Sequence, residues 1–253
     1  DANWRPPPYH DEAYSGSSEH AHHDGGVGPA GIPLATGSAD RDGLQLDVLH
    51  VPLGPLLAQW PPGLVLRCVL HGDVVTEAEV EVLDGPGDDF PTGGTVSPVL
   101  GAAAACDSAA RMLTVAGWDD AALAARQVRD LVLDGAEPGR IAGQIDRLRS
   151  RVIRAWPLRW LLRGLGTVDA ALAQQHGLSA DTRGDVHDRL VAMLTGAVAL
   201  LRGQAQPVRR DTRALLGALP TMVTGLDLGA VRLVVASCAL ETVVLPRSEL
   251  DRA

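Results

Sequence analysis

Histidines and acids cluster near the start of the sequence, where their residue types would suit metal binding. His20, His22 and His23 lie beside Glu19 and Asp24 in the tract EHAHHDGG. Neutral imidazoles are good ligands for Ni²⁺, Zn²⁺ or Cu²⁺, so the three histidines are candidates for a metal site. The polar, Gly-rich surroundings favour a solvated tail instead. A flexible tract presets no coordination geometry, so its metal binding would be weak and unselective.

A second group of polar residues occurs in the sequence GDVHDR, at the predicted start of a helix. Asp185, His187 and Arg189 are candidates for catalytic residues because such groups can hold and transfer protons. The same residues also suit a helix start, since acids favour the positive end of the helix dipole and Arg189 can pair with one of them. The sequence contains no phosphate-binding loop, dinucleotide-binding, zinc-protease or serine-hydrolase motif. The residues alone therefore predict no catalytic constellation.

Composition and spacing exclude several classes of protein. Cys68, Cys106 and Cys238 are far apart and form no CxxC pair, which predicts three buried thiols in a reducing compartment. The net charge of −9 argues against a nucleic-acid partner, because such binding depends on neutralising cations. No apolar run approaches the roughly 20 residues of a membrane span, and the first residues do not resemble a secretory signal.

The N-terminal part is predicted to be an arm followed by a small sheet. Residues 1–43 are rich in Pro, Gly, Ser, His and Asp without an apolar period, which predicts a flexible arm before a single domain over 44–253. Alternating residues predict strands at 44–51, 64–70 and 74–83, with a tight turn at Gly72. In the last strand, alternation assigns Val75 to the same face as three glutamates and Val74 to the opposite face.

The remainder is predicted to be mainly helical. Apolar periodicity and capping residues predict helices at 102–116, 119–133, 138–155, 166–177 and 185–201, a short helix near Leu215, and a late strand at 231–236. The predicted fold class is therefore α+β: a small N-terminal antiparallel sheet, a bundle of about five helices and a C-terminal strand. The helix at 138–155 carries Arg140, Arg147, Arg151 and Arg154, which form either a solvated face or a docking surface.

Five segments resemble, in order, the segments of one known family. They are GPLLAQWPPGLVLRCVLHGDVV, AARMLTVAGWDDAALAARQVRDLVLDG, LLRGLGTVDAALAQQHGLS, GDVHDRLVAMLTGAVALL and LPTMVTGLDLGAVRLVVAS. The family comprises the quinone-site large subunit of respiratory complex I (the 49-kDa type) and the related large subunits of membrane-bound NiFe hydrogenases. The matches are short, collinear and spread over most of residues 44–237.

The resemblance implies a shortened relative that has lost the family's chemistry. The family's quinone loop carries a histidine, which the corresponding loop here lacks. The tyrosine that contacts quinone in the family has no counterpart here. The family's later arginine and glutamate correspond to Met193 and Gly196. The CxxC thiolates of the hydrogenases are absent. The loop residues assigned to the former quinone site are Gly54, Pro55, Trp60, Pro61, Pro62 and Gly63.

The function implied is a non-catalytic structural or accessory subunit of a membrane-attached NADH:quinone oxidoreductase or hydrogenase-like complex. It would lie peripherally on the cytoplasmic face of the inner (plasma) membrane and dock an iron–sulfur small subunit and membrane-arm subunits, in part through the arginines of 138–155. It would bind no cofactor itself; iron–sulfur clusters and quinone would lie in partners or at their interface. Two alternatives stay open: an active quinone-reducing subunit using Asp185, His187 and Arg189, and a soluble metal-binding or interaction protein using the His-rich arm.

Overall fold

A computed structural model describes residues 37–39, 45–83, 97–207 and 211–241 of the chain. The three histidines of the candidate metal tract lie outside these residues. The described part contains a small antiparallel sheet followed by helices, which confirms the predicted α+β class and the N-terminal position of the sheet.

The sheet has the order β1-β2-β3-β4 and every pair is antiparallel. Strands β2 (Gln45–Leu53), β3 (Leu64–His71) and β4 (Val74–Val82) form its body, and the three-residue β1 (Gly37–Ala39) pairs with β2. Gly72 takes a φ of 63° in the two-residue turn between β3 and β4, as the sequence predicts, because a positive φ costs glycine least.

A bulge in β4 changes which valine enters the core. Glu77 pairs with Val69 and Val75 pairs with Leu70, so Thr76 is an extra residue in the ladder. Val75 is therefore fully buried and Val74 is exposed. The predicted faces of this strand are wrong at its first residues, because strict alternation assumes that no residue is inserted into the pairing.

Residues from the far end of the domain pair with the start of the free edge of β4. Val75 donates its N–H to Leu226 O at 2.9 Å and accepts from Gly225 N at 2.7 Å. Asp227 forms an isolated bridge with Val74. These bonds satisfy the backbone of Val75 at the start of the strand edge and attach the sheet to the helices.

The helical part is built around one central helix. Helix α6 contacts α1, α3, α4 and α8, and the small buried residues of α1, among them Ala102 and Ala109, permit close helix packing. The helices of the described residues are α1 (Pro98–Val115), α2 (Asp119–Leu133), α3 (Pro138–Arg154), α4 (Trp156–Leu162), α5 (Ala170–His176), α6 (Val186–Leu201), α7 (Thr212–Val223) and α8 (Leu228–Cys238).

Two of these helices differ from the prediction. The predicted strand at 231–236 is wrong: this segment lies in α8, whose N-cap Asp227 accepts a hydrogen bond from Ala230 N at 2.8 Å. A short run rich in valine does not distinguish a strand from a buried helix, and here the packing around the segment overrides its β propensity. Helix α4 was not predicted. Together with α8 and with α7, the helix expected near Leu215, it brings the helices of the described residues to eight, where a bundle of about five was expected.

None of the helices in the described ranges is long and apolar enough to cross a membrane. The longest of them, α1, contains alanines, a serine, an aspartate and an arginine in addition to its larger apolar residues.

Candidate functional site

Three of the sequence-predicted polar residues lie at the start of α6. Asp185 is the N-cap of this helix, and its Oδ1 accepts from Asp188 N at 3.0 Å. Asp188 completes a capping box because its Oδ2 accepts from Asp185 N at 3.1 Å. The other oxygen of Asp185 accepts from Gly164 N at 2.8 Å, so both Asp185 oxygens already bind backbone N–H groups.

A backbone bridge fixes this helix start to the preceding segment. Val168 and Gly184 exchange two hydrogen bonds of 2.9 and 3.0 Å. Gly184 has a φ of 81°, and a Cβ at this position would overlap the Asp188 carboxylate. The capping box and the glycine therefore depend on each other.

Arg189 is the largest fully buried side chain of the described residues, with 1% of its surface exposed. Its Nη1 donates to Gly184 O at 2.8 Å and to Gly166 O at 3.0 Å, and its Nε donates to Ser237 Oγ at 2.9 Å. Ser237 in turn donates to Val234 O at 2.6 Å. Arg189 thus binds three separate parts of the chain, and these contacts give it a structural role in the core.

His187 is half-buried beside the capping box. Asp185, His187 and Asp188 each place one potential metal-ligand atom within 4.8 Å of the others. The Nε2 atom of His187 is buried and has no hydrogen-bond partner in the described part of the chain. A metal ion would have to displace capping hydrogen bonds from the two aspartates, so the group fits a helix start better than a metal centre.

The loop assigned to the former quinone site is filled by its own Trp60 side chain. Trp60 is 7% exposed, and its Nε1 donates to Leu64 O at 2.9 Å. Gly54 has a φ of 94° and lies so close to that carbonyl and to the indole that a Cβ would overlap both. The loop side chains supply a single amide, that of Gln59, and no titratable group.

A cleft of about 450 Å³ lies between α1, α6 and the short 3₁₀ turn Ala180–Thr182. Small and apolar residues dominate its wall, including Met193 and Gly196 of α6. Two carboxylates, Asp181 and Glu241, also line it. The candidate residues of the α6 start and of the closed loop do not line this cleft, so the structure does not bring the predicted groups together in one pocket.

The predicted arginine surface on α3 is present and exposed. Arg140, Arg147, Arg151 and Arg154 are all exposed, and none of them forms an ion pair within the described ranges. Arg151 lies 5.5 Å from the ring centroid of Trp118, in cation–π geometry. These unpaired guanidinium groups can bind an acidic surface.

Helix α4 extends this surface with residues that sequence reasoning missed. Trp156 and Trp160 are 75% and 80% exposed, and Arg159 and Arg163 are exposed beside them. The signal was present in the sequence WPLRWLLR, in which two tryptophans and two arginines each recur after four residues.

The three cysteines are buried, and none forms a disulfide. Burial raises the pKa of the Cys106 thiol to about 12, and the charge of Asp107 adds to the rise. Burial also raises the pKa of Cys68. Cys106 and Cys68 are therefore packing residues and not nucleophiles at neutral pH, because the reactive form is the thiolate.

No protein-family model matches the chain, and no curated protein matches it significantly. The resemblance to the complex I and hydrogenase large subunits therefore stays a prediction.

Proposed function

We propose that this chain is a non-catalytic structural or accessory subunit of a membrane-attached respiratory complex of the NADH:quinone oxidoreductase or hydrogenase type. The observation that carries the proposal is that the charged side chains at the start of α6 already bind other parts of the chain. Asp185 and Asp188 cap the helix, and Arg189 is buried against backbone carbonyls and Ser237. Groups held in this way are poorly placed to reach a substrate.

The closed loop supports the same proposal. Reduction of a quinone requires a proton donor within hydrogen-bond reach of the carbonyl oxygen. The loop between Gly54 and Gly63 has no titratable side chain, and Trp60 is directed to Leu64 O beneath it. In an active relative this loop would supply the donor.

The cleft beside α6 gives further support. By the resemblance, the family's later arginine and glutamate fall on Met193 and Gly196, and both positions line this cleft. A thioether and a hydrogen replace a cation and an anion there, so the wall formed by α6 has no charge at either position.

A structural subunit needs surfaces that bind partners, and the arginines of α3 provide one. We propose that these arginines bind the acidic face of an iron–sulfur or membrane-arm subunit. They are Arg140, Arg147, Arg151 and Arg154. The chain has a net charge of −9, so an unpaired cationic face is distinct from the rest of its surface. Such a face orients an acidic partner and raises the rate at which the two proteins associate.

The test is capture of the tagged full-length chain from native membranes after extraction in mild detergent, with mass identification of the proteins that accompany it. Iron–sulfur and membrane-arm subunits are expected in stoichiometric amounts. The variant Arg140→Glu/Arg147→Glu should lose them, whereas Arg183→Glu, which changes an exposed arginine outside α3 and α4, should retain them. Recovery of the chain as a lone monomer would overturn the proposal.

A second experiment separates the accessory subunit from an active quinone reductase. His187→Ala in the captured complex should leave quinone turnover unchanged, since the proposed role requires no proton transfer at this residue. Loss of turnover with normal subunit composition would instead favour catalysis at His187.

A further inference from the structure

Helix α4 has one side that packs on the protein and another that points to solvent. Leu158 and Leu162 are 6% and 0% exposed and hold the helix against the core. Trp156 and Trp160 lie one turn apart on the outer side and are largely exposed. An indole pair in this position leaves a large apolar area in water, which is unfavourable unless another surface covers it.

Arginines share the outer side with the two indoles. At 3.6 residues per turn, Arg159 and Arg163 fall beside Trp156 and Trp160 on the helix surface. Arg154, the last residue of α3, is exposed next to them in sequence. In the part of the chain that the structure describes, these three arginines form no ion pair.

The charge of this region is opposite to that of the whole chain. Residues 138–163 contain seven arginines and a single acid, Asp146. Asp146 is itself bound by Arg149 at 2.9 Å and by Arg202 at 2.6 Å, so it does not neutralise the outer arginines. A chain of net charge −9 thus carries a cationic surface that contains two exposed indoles.

We infer that this surface of α4 binds an anionic lipid surface. Indoles favour the boundary between headgroups and acyl chains, and guanidinium groups bind lipid phosphates. The helix would lie in the plane of the interface, with its indoles toward the acyl chains and its arginines toward the headgroups.

A lipid partner accounts for this surface better than an acidic protein does. An acidic protein would pair with the arginines but need not offer an apolar surface to the indoles, whereas an anionic bilayer offers both phosphates and an apolar layer. Here each indole is at least three-quarters exposed, on a short helix at the end of an arginine-rich face. The inference does not rest on the function proposed above, since it requires only this chain and a bilayer.

The test is flotation of the purified full-length chain with two kinds of vesicle, one of phosphatidylcholine alone and one of phosphatidylcholine mixed with phosphatidylglycerol. Binding is expected only to the vesicles that contain phosphatidylglycerol, and added salt should weaken it because the headgroup attraction is screened. Tryptophan emission should shift to shorter wavelength on binding, as the indoles leave water.

Substitutions assign the binding to α4. Arg159→Gln and Arg163→Gln should each weaken binding roughly fivefold. Trp156→Ala/Trp160→Ala should weaken it by roughly tenfold or more and should abolish the emission shift. Two matched controls should bind as the unaltered chain does: Arg183→Gln, which removes an exposed arginine elsewhere, and Leu56→Ala, which removes a side chain that is 96% exposed.

Three results would overturn the inference: no binding to either vesicle, equal binding to both, or unchanged binding of the double tryptophan variant. The chain could fail to bind vesicles while the Trp156→Ala/Trp160→Ala variant loses the protein subunits that the unaltered chain captures. In that case the surface docks a protein instead. Failure of partner capture alongside normal vesicle binding would affect only the function proposed above.

Discussion

Arg189 of α6 and Ser237 of α8 are 48 residues apart in sequence, and the Arg189 Nε atom donates a buried hydrogen bond of 2.9 Å to the Ser237 Oγ atom. The same guanidinium binds Gly166 O and Gly184 O. One side chain therefore connects α6 to α8. It also connects α6 to the two segments joined by the Val168–Gly184 bridge. A cation is suited to this task because it can donate several hydrogen bonds in one plane.

Replacement of this cation should lower stability. Arg189→Met removes the donors of two carbonyls and of Ser237, so we expect the free energy of unfolding to fall by about 2–4 kcal/mol in urea titrations. The exposed control Arg183→Met should change it by less than about 0.5 kcal/mol. Ser237→Ala should cost about 1 kcal/mol, and the double variant should cost less than the sum of the two. Equal effects of Arg189→Met and its control would contradict the structural role.

Gly184 should be more sensitive to substitution than another glycine of similar conformation. Gly117 has a φ of 75° and open space around the position of a Cβ, whereas a Cβ at Gly184 would overlap the Asp188 carboxylate. We expect Gly117→Ala to cost about 1–2 kcal/mol through backbone strain alone. Gly184→Ala should cost roughly 2 kcal/mol more, because it also disrupts the capping box. Thermal and urea unfolding of the two variants measure this difference directly, and similar losses would argue against it.

The bulge at Thr76 predicts opposite outcomes for two adjacent valines. Val75→Ala should lower the free energy of unfolding by roughly 2 kcal/mol, because it removes two methyl groups from a fully buried position. Val74→Ala, at a position 38% exposed, should be nearly neutral. Chemical denaturation of the pair checks the register, since strict alternation in β4 would reverse the order.

Cys106 predicts a loss of stability at alkaline pH. Burial and the neighbouring Asp107 raise the pKa of its thiol from 9.0 to about 12. The unfolded chain releases this proton at lower pH than the folded chain does, so stability is complete below the unfolded value and falls as pH rises toward about 12. The slope contributed by one proton is at most about 1.4 kcal/mol per pH unit.

Urea unfolding at several alkaline pH values measures this slope. Cys106→Ala should give a flatter dependence on pH, whatever its effect on stability at neutral pH. The sequence contains no lysine, so few other side chains titrate over the same range. Parallel curves for the variant and the unaltered chain would show that Cys106 does not carry the effect.

Elements with strong local signals could be predicted from the sequence. The hairpin at Gly72, α2 and α3 each combine a clear period with a turn residue or a favourable first-turn residue, although Asp119 lies in the first turn of α2 and does not cap it. Helix α8 could not be distinguished from a strand, because its stability comes from burial on several sides. The bulge at Thr76 has no marker in the sequence.

The candidate site was predictable only in part. GDVHDR indicates a helix start, and Asp185 and Asp188 do form the capping box. The partners of Arg189 at Gly166 and Ser237 come from other parts of the chain, so spacing alone gave no reason to connect them. The α4 surface was missed although WPLRWLLR repeats Trp and Arg after four residues, because a segment of about two turns was too short to be predicted as a helix.

The backbone pairing at the edge of β4 affects how this domain forms during synthesis. Val75 pairs with Gly225 and Leu226, about 150 residues later in the chain, so the contact closes a very long loop. The hairpin leaves the ribosome long before α7 and α8, and until they arrive its strand edge has open N–H and C=O groups. Fragments that end before residue 225 should therefore associate more readily through this edge, and completion of the chain should reduce that association.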